Sequence, residues 1–181
     1  MDQNILSKLE IIEGLANFDN NYLIKEIIDI DSACFGEFSS EDSGSESYWK
    51  EISKDSFIQV ALIDNKIIGY INIYKFSDKG INMLEKGLLR EGEMFEYLDR
   101  SDSRKIHLYI VAIAVLPEFR KYGIANRLLY SVLSQIKNDG YLFDNIYATV
   151  WSDYGAKFFN KFNPTKITHD CLGHDVIKIE I

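Results

Sequence analysis

The segment "KIHLYIVAIAV", residues 105–115, constrains this chain more than any other stretch. It is apolar at odd and even positions alike, so both faces of the strand it predicts must be buried. A strand covered on two sides sits inside a sheet with helices above and below. The chain then turns through "LPEFRKYG" and enters "IANRLLYSVLSQIKNDG", residues 124–140. There Leu128, Leu129, Val132, Leu133 and Ile136 fall on one stripe at helical spacing, and Gly140 suits the residue after a helix end. A central strand leading directly into an amphipathic helix fits a mixed α/β layer.

The remaining segments extend that layer. "KLEIIEG" (8–14) alternates as a first strand. "NNYLIKEIIDIDSACF" (20–35) predicts a helix with Leu23, Ile27, Ile28 and Ala33 turned inward. "GEFSSEDSGSESY" (36–48) is small, polar and acidic, the composition of a loop. "FIQVALID" (57–64) and "KIIGYINIYKF" (66–76) flank Asp64-Asn65 and predict an antiparallel hairpin. Residues 77–104 carry short helical patterns broken by Gly87 and Gly92, and form an insert. "NIYATVW" (145–151) is a strand. "SDYGAKFFNKF" (152–162) is a short helix, capped by Ser152 or Asp153 and stopped at Asn163-Pro164. "TKITH" and "DVIKIEI" close the sheet as a last hairpin. The expected order is β-α-β-β-(insert)-β-α-β-α-β-β, a mixed α/β sheet with helices on its faces.

A chain of 181 residues suits one domain, expected over 1–181 with its insert at about 77–104. No apolar run approaches the ~20 residues of a membrane span. The opening "MDQNILSKLEIIEG" lacks a basic stretch followed by an apolar one, so no signal peptide is expected. Two cysteines, Cys34 and Cys171, are too few for a disulfide scaffold and fit a cytoplasmic home. Acidic residues outnumber basic ones, 28 to 20, for a net charge of -8. Such a surface repels phosphate backbones, so no nucleic-acid partner is expected.

"PEFRKYGIANRLL" (117–129) carries the chemistry. A helix N-terminus presents N–H groups without internal partners and a partial positive charge, a ready seat for phosphate. Gly123 lets a ligand approach the backbone, Ala125 keeps the next turn open, and Arg120 and Lys121 add charge. A capping turn with solvated basic residues accounts for the same fragment. Neither G-x-G-x-x-G nor G-x-x-x-x-G-K-[ST] occurs.

With its preceding strand, "IAVLPEFRKYGIANRLL" resembles the acetyl-CoA signature of the GNAT superfamily of N-acyltransferases, the core of which here is Arg120-x-x-Gly123-x-Ala125. "TVWSDYGAKFFNKFNPTKI" is similar to the second landmark of that family, though degraded. The resemblance runs from about residue 8 to 181, and the insert is unusually long for it. It implies a mostly antiparallel sheet whose middle strands, 107–115 and 145–151, splay apart to admit acetyl-CoA. The pantetheine arm would pair with the backbone of Ile113 and Val115, about Ala114. The pyrophosphate would rest on the N–H groups of Lys121, Tyr122, Gly123, Ile124, Ala125 and Asn126, with Arg120 beside it and Phe159 nearby.

Acetylation of an amine needs removal of a proton from a group with pKa ~10, a donor for the oxyanion, and an exit for the thiolate. Backbone N–H groups can serve the oxyanion. The family often places Glu where this chain has Val111, which takes no proton. His107 and Tyr109 share that strand face by alternation and are the candidate bases, His107 because histidine ordinarily titrates near ~6.5. A His107 that merely opens the strand in solvent fits equally. The family's general acid, a tyrosine, aligns with Phe159, and Tyr154 one turn earlier is the substitute candidate; packing accounts for Tyr154 as well. "HDCLGHD" (169–175) groups His169, Cys171 and His174, but a single short cluster without a second ligand set reads as a hairpin turn, and no metal is expected.

The expected function is therefore acetyl transfer from acetyl-CoA to a primary amine of a small molecule or peptide, by a monomer or homodimer. Residues 29–56 and 77–104 would shape the acceptor pocket. Their carboxylates, Asp29, Asp31, Glu37, Glu85, Glu91, Glu93 and Glu96, favour a cationic acceptor, unless they only solvate outer faces. The apolar residues at both proton-transfer positions favour a rival class, a non-catalytic acyl-CoA-binding module. A toxin-like enzyme acting on charged tRNA fits an acidic chain poorly.

Overall fold

The computed structural model of this chain describes residues 6–17, 19–36, 55–89 and 91–180. Strand β1 (Leu9–Glu13) meets a short turn of helix, α1 (Gly14–Asn17), and α2 (Asn20–Phe35) follows. Then come β2 (Ser56–Ile63), β3 (Lys66–Phe76), α3 (Asp78–Glu85) and a 3-10 turn over Glu91–Tyr97. The second half holds β4 (His107–Val115), α4 (Ile124–Asn138), β5 (Asn145–Val150), α5 (Asp153–Phe159), β6 (Thr165–His169) and β7 (Asp175–Glu180). This is the mixed α/β order that the sequence predicts. The loop expected at 36–48 lies, apart from Gly36, outside the described residues.

The seven strands form one mostly antiparallel sheet in the order β1-β2-β3-β4-β5-β7-β6. Asp64 and Asn65 both take left-handed φ, 51° and 63°. A two-residue hairpin turn demands that pair, because its backbone twist must match the twist of the flanking strands. β4 pairs parallel with β5, from Leu108↔Ile146 to Ile110↔Ala148. β5 then pairs antiparallel with β7 along its whole length, and β6 adds to β7 with a register shift between Lys166 and Thr168.

The chain makes two compact units, Met1–Asn72 with Ala112–Asp139, and Ile73–Val111 with Gly140–Ile181. It passes from the first to the second within β3 and returns within β4. In the first unit, alternation along β2 assigns its two faces to different helices. Gln59 donates to Gln135 of α4 at 2.7 Å and accepts from Ser131 at 3.1 Å, so this buried amide is satisfied. On the opposite face, Ile58 of β2 and Leu23 of α2 both close on Gly14 of α1. The buried stripe of α2 is Leu23, Ile24, Ile27 and Ile30. The expectation of Ile28 and Ala33 was off, since Ile28 is half-buried and Ala33 exposed. Ile30 follows Ile27 by three residues, whereas Ala33 has turned past the stripe. Asp19 caps α2 by accepting from Asn21 and Tyr22 backbone N–H groups at 3.0 and 3.3 Å.

In the second unit, Phe76 of β3 stacks on Tyr109 of β4 at 5.3 Å. The insert is bound to this core by polar contacts as well. Glu85 accepts from the Tyr147 hydroxyl at 2.8 Å, and Ser77 caps α3 by accepting from Gly80 N–H. Burial, and then the Glu85 carboxylate, push the Tyr147 phenol well above its ordinary range. Ser152 caps α5 through Gly155 N–H at 3.1 Å, and Asn163 ends the following turn in the left-handed conformation.

Candidate functional site

The end of β4 and the start of α4 both belong to the first unit, and the segment between them is unusual. Gly123 has φ 77° and precedes the first helical residue without any side-chain cap. The helix ladder begins with Arg127 N–H donating to Gly123 C=O at 3.2 Å. The N–H groups of Ile124, Ala125 and Asn126 therefore have no carbonyl within the helix to bind. A Cβ added at Gly123 would meet nothing within 4 Å. Backbone conformation, not crowding within the chain, calls for glycine here. Lys121 is left-handed too, with φ 71°, an uncommon state for a side-chain-bearing residue and one that concentrates at functional loops. Lys121 is exposed, and Tyr122 is half-buried.

Arg120 is half-buried and anchored. Its Nε donates to the Val115 carbonyl at 3.0 Å. The same oxygen accepts from the Cys34 thiol of α2 at 3.4 Å. Burial pushes the Cys34 thiol up, and the neighbouring Arg120 pulls it partly back. Nearby in sequence, the Tyr70 hydroxyl donates to Asp31. Ile113 is half-buried, while Ala114 and Val115 are buried. Asn126 Oδ1 is buried without a partner among the described residues. It requires a donor, which a phosphate does not offer, so it stands apart from anion binding.

The proposed proton-transfer residues lie in the second unit. His107 Nε2 sits 2.8 Å from Asp78 Oδ1, so the ring is held by α3 and does not dangle at a strand start. Tyr109 is 2% exposed and donates its hydroxyl to Thr149 Oγ1 at 3.0 Å. Tyr154 is 64% exposed, with the Lys157 ammonium over its ring. Phe159 is buried edge-on against Phe158 at 5.0 Å. The 169–175 cluster serves its own turn: His174 faces Asp170 and stacks on Trp151 at 4.2 Å, His169 faces Asp175, and Cys171 is exposed. Among the described residues no group of three or more His, Cys, Asp or Glu side chains is arranged to hold a metal ion.

The second unit also encloses a hollow that sequence reading missed. Leu84, Leu89, Met94, Thr149, Trp151 and Val176 line it, together with Gly87, Asp170, Cys171 and Leu172. Its interior has about 20 Å³ open to a water-sized sphere, room for roughly one or two waters. The signal was present in "NIYATVW", whose alternation turns Tyr147, Thr149 and Trp151 to one face. Of the carboxylates expected around an acceptor, Asp31 and Glu85 accept from tyrosines, Asp29 and Glu96 are exposed, and Glu93 is half-buried. Glu37 lies outside the described residues, as does the Glu91 side chain.

The Acetyltransferase (GNAT) family matches residues 24–162, more than half of the chain. The chain belongs to the GNAT acetyltransferase family. An N-alpha-acetyltransferase of Saccharolobus solfataricus is 33% identical over 111 residues, covering 60% of this chain and 56% of that protein. The chain thus spans little more than half the length of that curated relative. Among solved structures, the PaiA N-acetyltransferase of Thermoplasma acidophilum in complex with coenzyme A aligns over 96% of this chain and 99% of its own, with TM-score 0.64 at 13% identity. The loading GNATL domain of CurA from Lyngbya majuscula aligns over 95% and 97%, with TM-score 0.67 at 13% identity. At such identities these likenesses concern the fold. No helix among the described residues is long and apolar enough to cross a membrane.

Proposed function

We propose that this GNAT-family chain transfers an acetyl group from acetyl-CoA to a primary amine. The observation that carries the reading is the uncapped start of α4, approached through left-handed Lys121 and Gly123 with Arg120 anchored on Val115. Free N–H groups, a helix dipole and two cations suit a pyrophosphate. The neighbouring backbone of Ile113 and Val115 would carry the pantetheine arm. Acetyl-CoA supplies an activated thioester. The amine nitrogen bonds to the acetyl carbon as the C–S bond breaks, the thiolate leaves with the electron pair, and the amine gives up one proton. His107 would receive that proton, directly or through water, and the Tyr109 hydroxyl would serve as a relay on the way. The thiolate needs little help, since a thiol pKa near ~8.5 makes it a tolerable leaving group; Tyr154 is the candidate donor. A peptide N-terminal amine is one acceptor to try, because a relative at 33% identity is an N-alpha-acetyltransferase.

A second reading draws on Val111 and the buried Phe159, apolar where the family resemblance places proton-transfer groups. It is an acyl-CoA-binding module without turnover. Thermal melts with acetyl-CoA, dephospho-CoA and NAD test binding first. A ligand held only by the folded state adds ~2.7 kcal/mol at a hundredfold excess over Kd. Free-thiol release with a panel of amines then separates enzyme from module. No stabilisation by millimolar acetyl-CoA would remove both readings.

A further inference from the structure

We propose that the contact between Cys34 and Val115 is an autoinhibitory latch on the acetyl-CoA seat; this names a regulation of that seat and rests on the acetyl-transfer reading. All of its parts lie in the first unit. Leu116 N–H donates to Ile68 C=O at 2.9 Å, so residue 116 turns its backbone polar groups toward β3. These directions alternate along a strand, which points the Val115 N–H and C=O away from β3. The pairing of β4 with β5 runs from Leu108 to Ile110 and stops short of Val115. A backbone carbonyl on an inner strand needs a donor. Here the donors are two side chains, Arg120 Nε at 3.0 Å and the Cys34 thiol at 3.4 Å. A further hydrogen bond ties the thiol to Arg120 itself. The edge that a pantetheine amide would use is closed by the chain's own groups.

That closure also holds the last turn of α2. Asp31 accepts from the hydroxyl of fully buried Tyr70, which fixes this part of α2 to β3. Beyond Asp31 the helix is lightly covered. Ser32, Ala33 and Gly36 are exposed, and Cys34 and Phe35 are half-buried. Gly36 N–H donates to Ser32 C=O and closes the helix end. A turn with so little burial opens readily once its tie is broken. A thiol is a weak donor, so an amide N–H of the pantetheine arm displaces it from the shared oxygen. Val115 then exchanges one donor for another, Arg120 stays in place, and the turn after Asp31 is released. Linkage runs both ways, so a turn held by Cys34 lowers the affinity for acetyl-CoA.

Two measurements on the full chain test the latch. Calorimetry compares acetyl-CoA binding by the wild type, Cys34→Ala and Cys34→Val, the last of which keeps bulk and lacks the donor. Both variants should bind about two- to tenfold more tightly, the range for removing one competing hydrogen bond. Hydrogen exchange then follows the amides of Cys34, Phe35 and Gly36. Saturating acetyl-CoA should speed their exchange in the wild type, whereas a ligand that only packed on α2 would slow it. In Cys34→Ala these amides should exchange fast from the outset and respond little. Unchanged or weaker affinity in both variants, or slower or unchanged exchange in the wild type, would overturn the latch and leave the acetyl-CoA site standing. Tighter binding in Cys34→Ala alone would make bulk the obstacle and overturn the latch as well. No binding of acetyl-CoA by the wild type would overturn the site and the latch together.

Discussion

The Val115 carbonyl oxygen accepts from Arg120 Nε at 3.0 Å and from the Cys34 thiol at 3.4 Å. A carbonyl has two lone pairs, and both are taken. A pantetheine amide donating to this oxygen must displace one of the two donors. Cys34 is the weaker, so it is the one expected to yield while Arg120 stays. Arg120→Ala should weaken acetyl-CoA by ~1.5–3 kcal/mol, the range for a hydrogen bond to a charged group. Gly123→Val should do more, because a branched residue resists φ 77° and fills the open space above the backbone. Calorimetry on folded variants measures both. Wild-type affinity in Gly123→Val would move the phosphate site elsewhere.

The two cysteines should differ in reactivity. Burial pushes the Cys34 thiol above its ordinary range, whereas Cys171 is exposed. Thiolate is the reacting form, so a disulfide reagent near pH 8 should label one thiol quickly and the other slowly. The fast phase should vanish in Cys171→Ser. The rate of the slow phase should keep rising with pH beyond the point where an ordinary thiol levels off. If saturating acetyl-CoA speeds or slows only the slow phase, Cys34 senses the ligand through Val115; equal rates for both thiols would mean that Cys34 is open to solvent.

Asn72 offers a stability test. It is fully buried on β3, and neither end of its amide has a partner among the described residues. Each buried unsatisfied polar group costs ~1–3 kcal/mol, and an apolar replacement of the same shape removes that cost. Asn72→Leu should therefore stabilise the fold. At ~2–4 °C per kcal/mol for a chain of this size, the rise in Tm should be several degrees. A fall in Tm would show that the amide is satisfied in solution.

Much of this was legible in the residues, for identifiable reasons. The stripe at Leu128, Leu129, Val132, Leu133 and Ile136 is buried as its spacing requires, and Asp64-Asn65 turns the hairpin that its residue types favour. The helix start at Gly123 was legible because its left-handed φ of 77° is a conformation that local residue type favours. The partners of His107, Tyr109 and Tyr147 were not. Asp78, Thr149 and Glu85 lie 29, 40 and 62 residues away, and nothing local couples such positions. The hollow was hidden for the same reason, since its walls come from the insert, β5 and the last hairpin. Cys34 read as an isolated cysteine until α2 brought it to Val115.

The last hairpin should weaken in acid. Lys166 lies 2.7 Å from Asp175, and this hydrogen bond, with His169 adding to it, holds the Asp175 carboxyl below its usual range. A carboxyl with a depressed folded pKa contributes stability that is present above its unfolded value of ~3.9 and is lost as pH falls through the folded one. The contribution should therefore be constant at neutral pH and decline below about pH 4. Carbon-detected NMR of the Asp175 carboxyl checks the depression directly. In Lys166→Met the midpoint should move up toward the ordinary value, and an unchanged midpoint would assign the shift to something other than Lys166.

Tyr109 separates proton transfer from packing. Tyr109→Phe keeps the stack on Phe76 and removes only the hydroxyl that donates to Thr149 at 3.0 Å. If that hydroxyl relays the proton of the amine, kcat should fall by up to the ~10²–10⁴-fold typical of general acid–base catalysis, with acetyl-CoA affinity unchanged. Thr149→Val removes the acceptor that orients the hydroxyl and should lower kcat less. The double variant should match Tyr109→Phe alone, because orienting a missing group has no value; such non-additivity marks residues acting together. His107→Gln is the comparison, since His107 is held by Asp78 at 2.8 Å and is the rival base. A large loss in His107→Gln with less than twofold in Tyr109→Phe would make the histidine the base. Small, additive losses in all three, accompanied by a lower Tm in Tyr109→Phe, would mean that Tyr109 only packs and that the amine is bound already neutral.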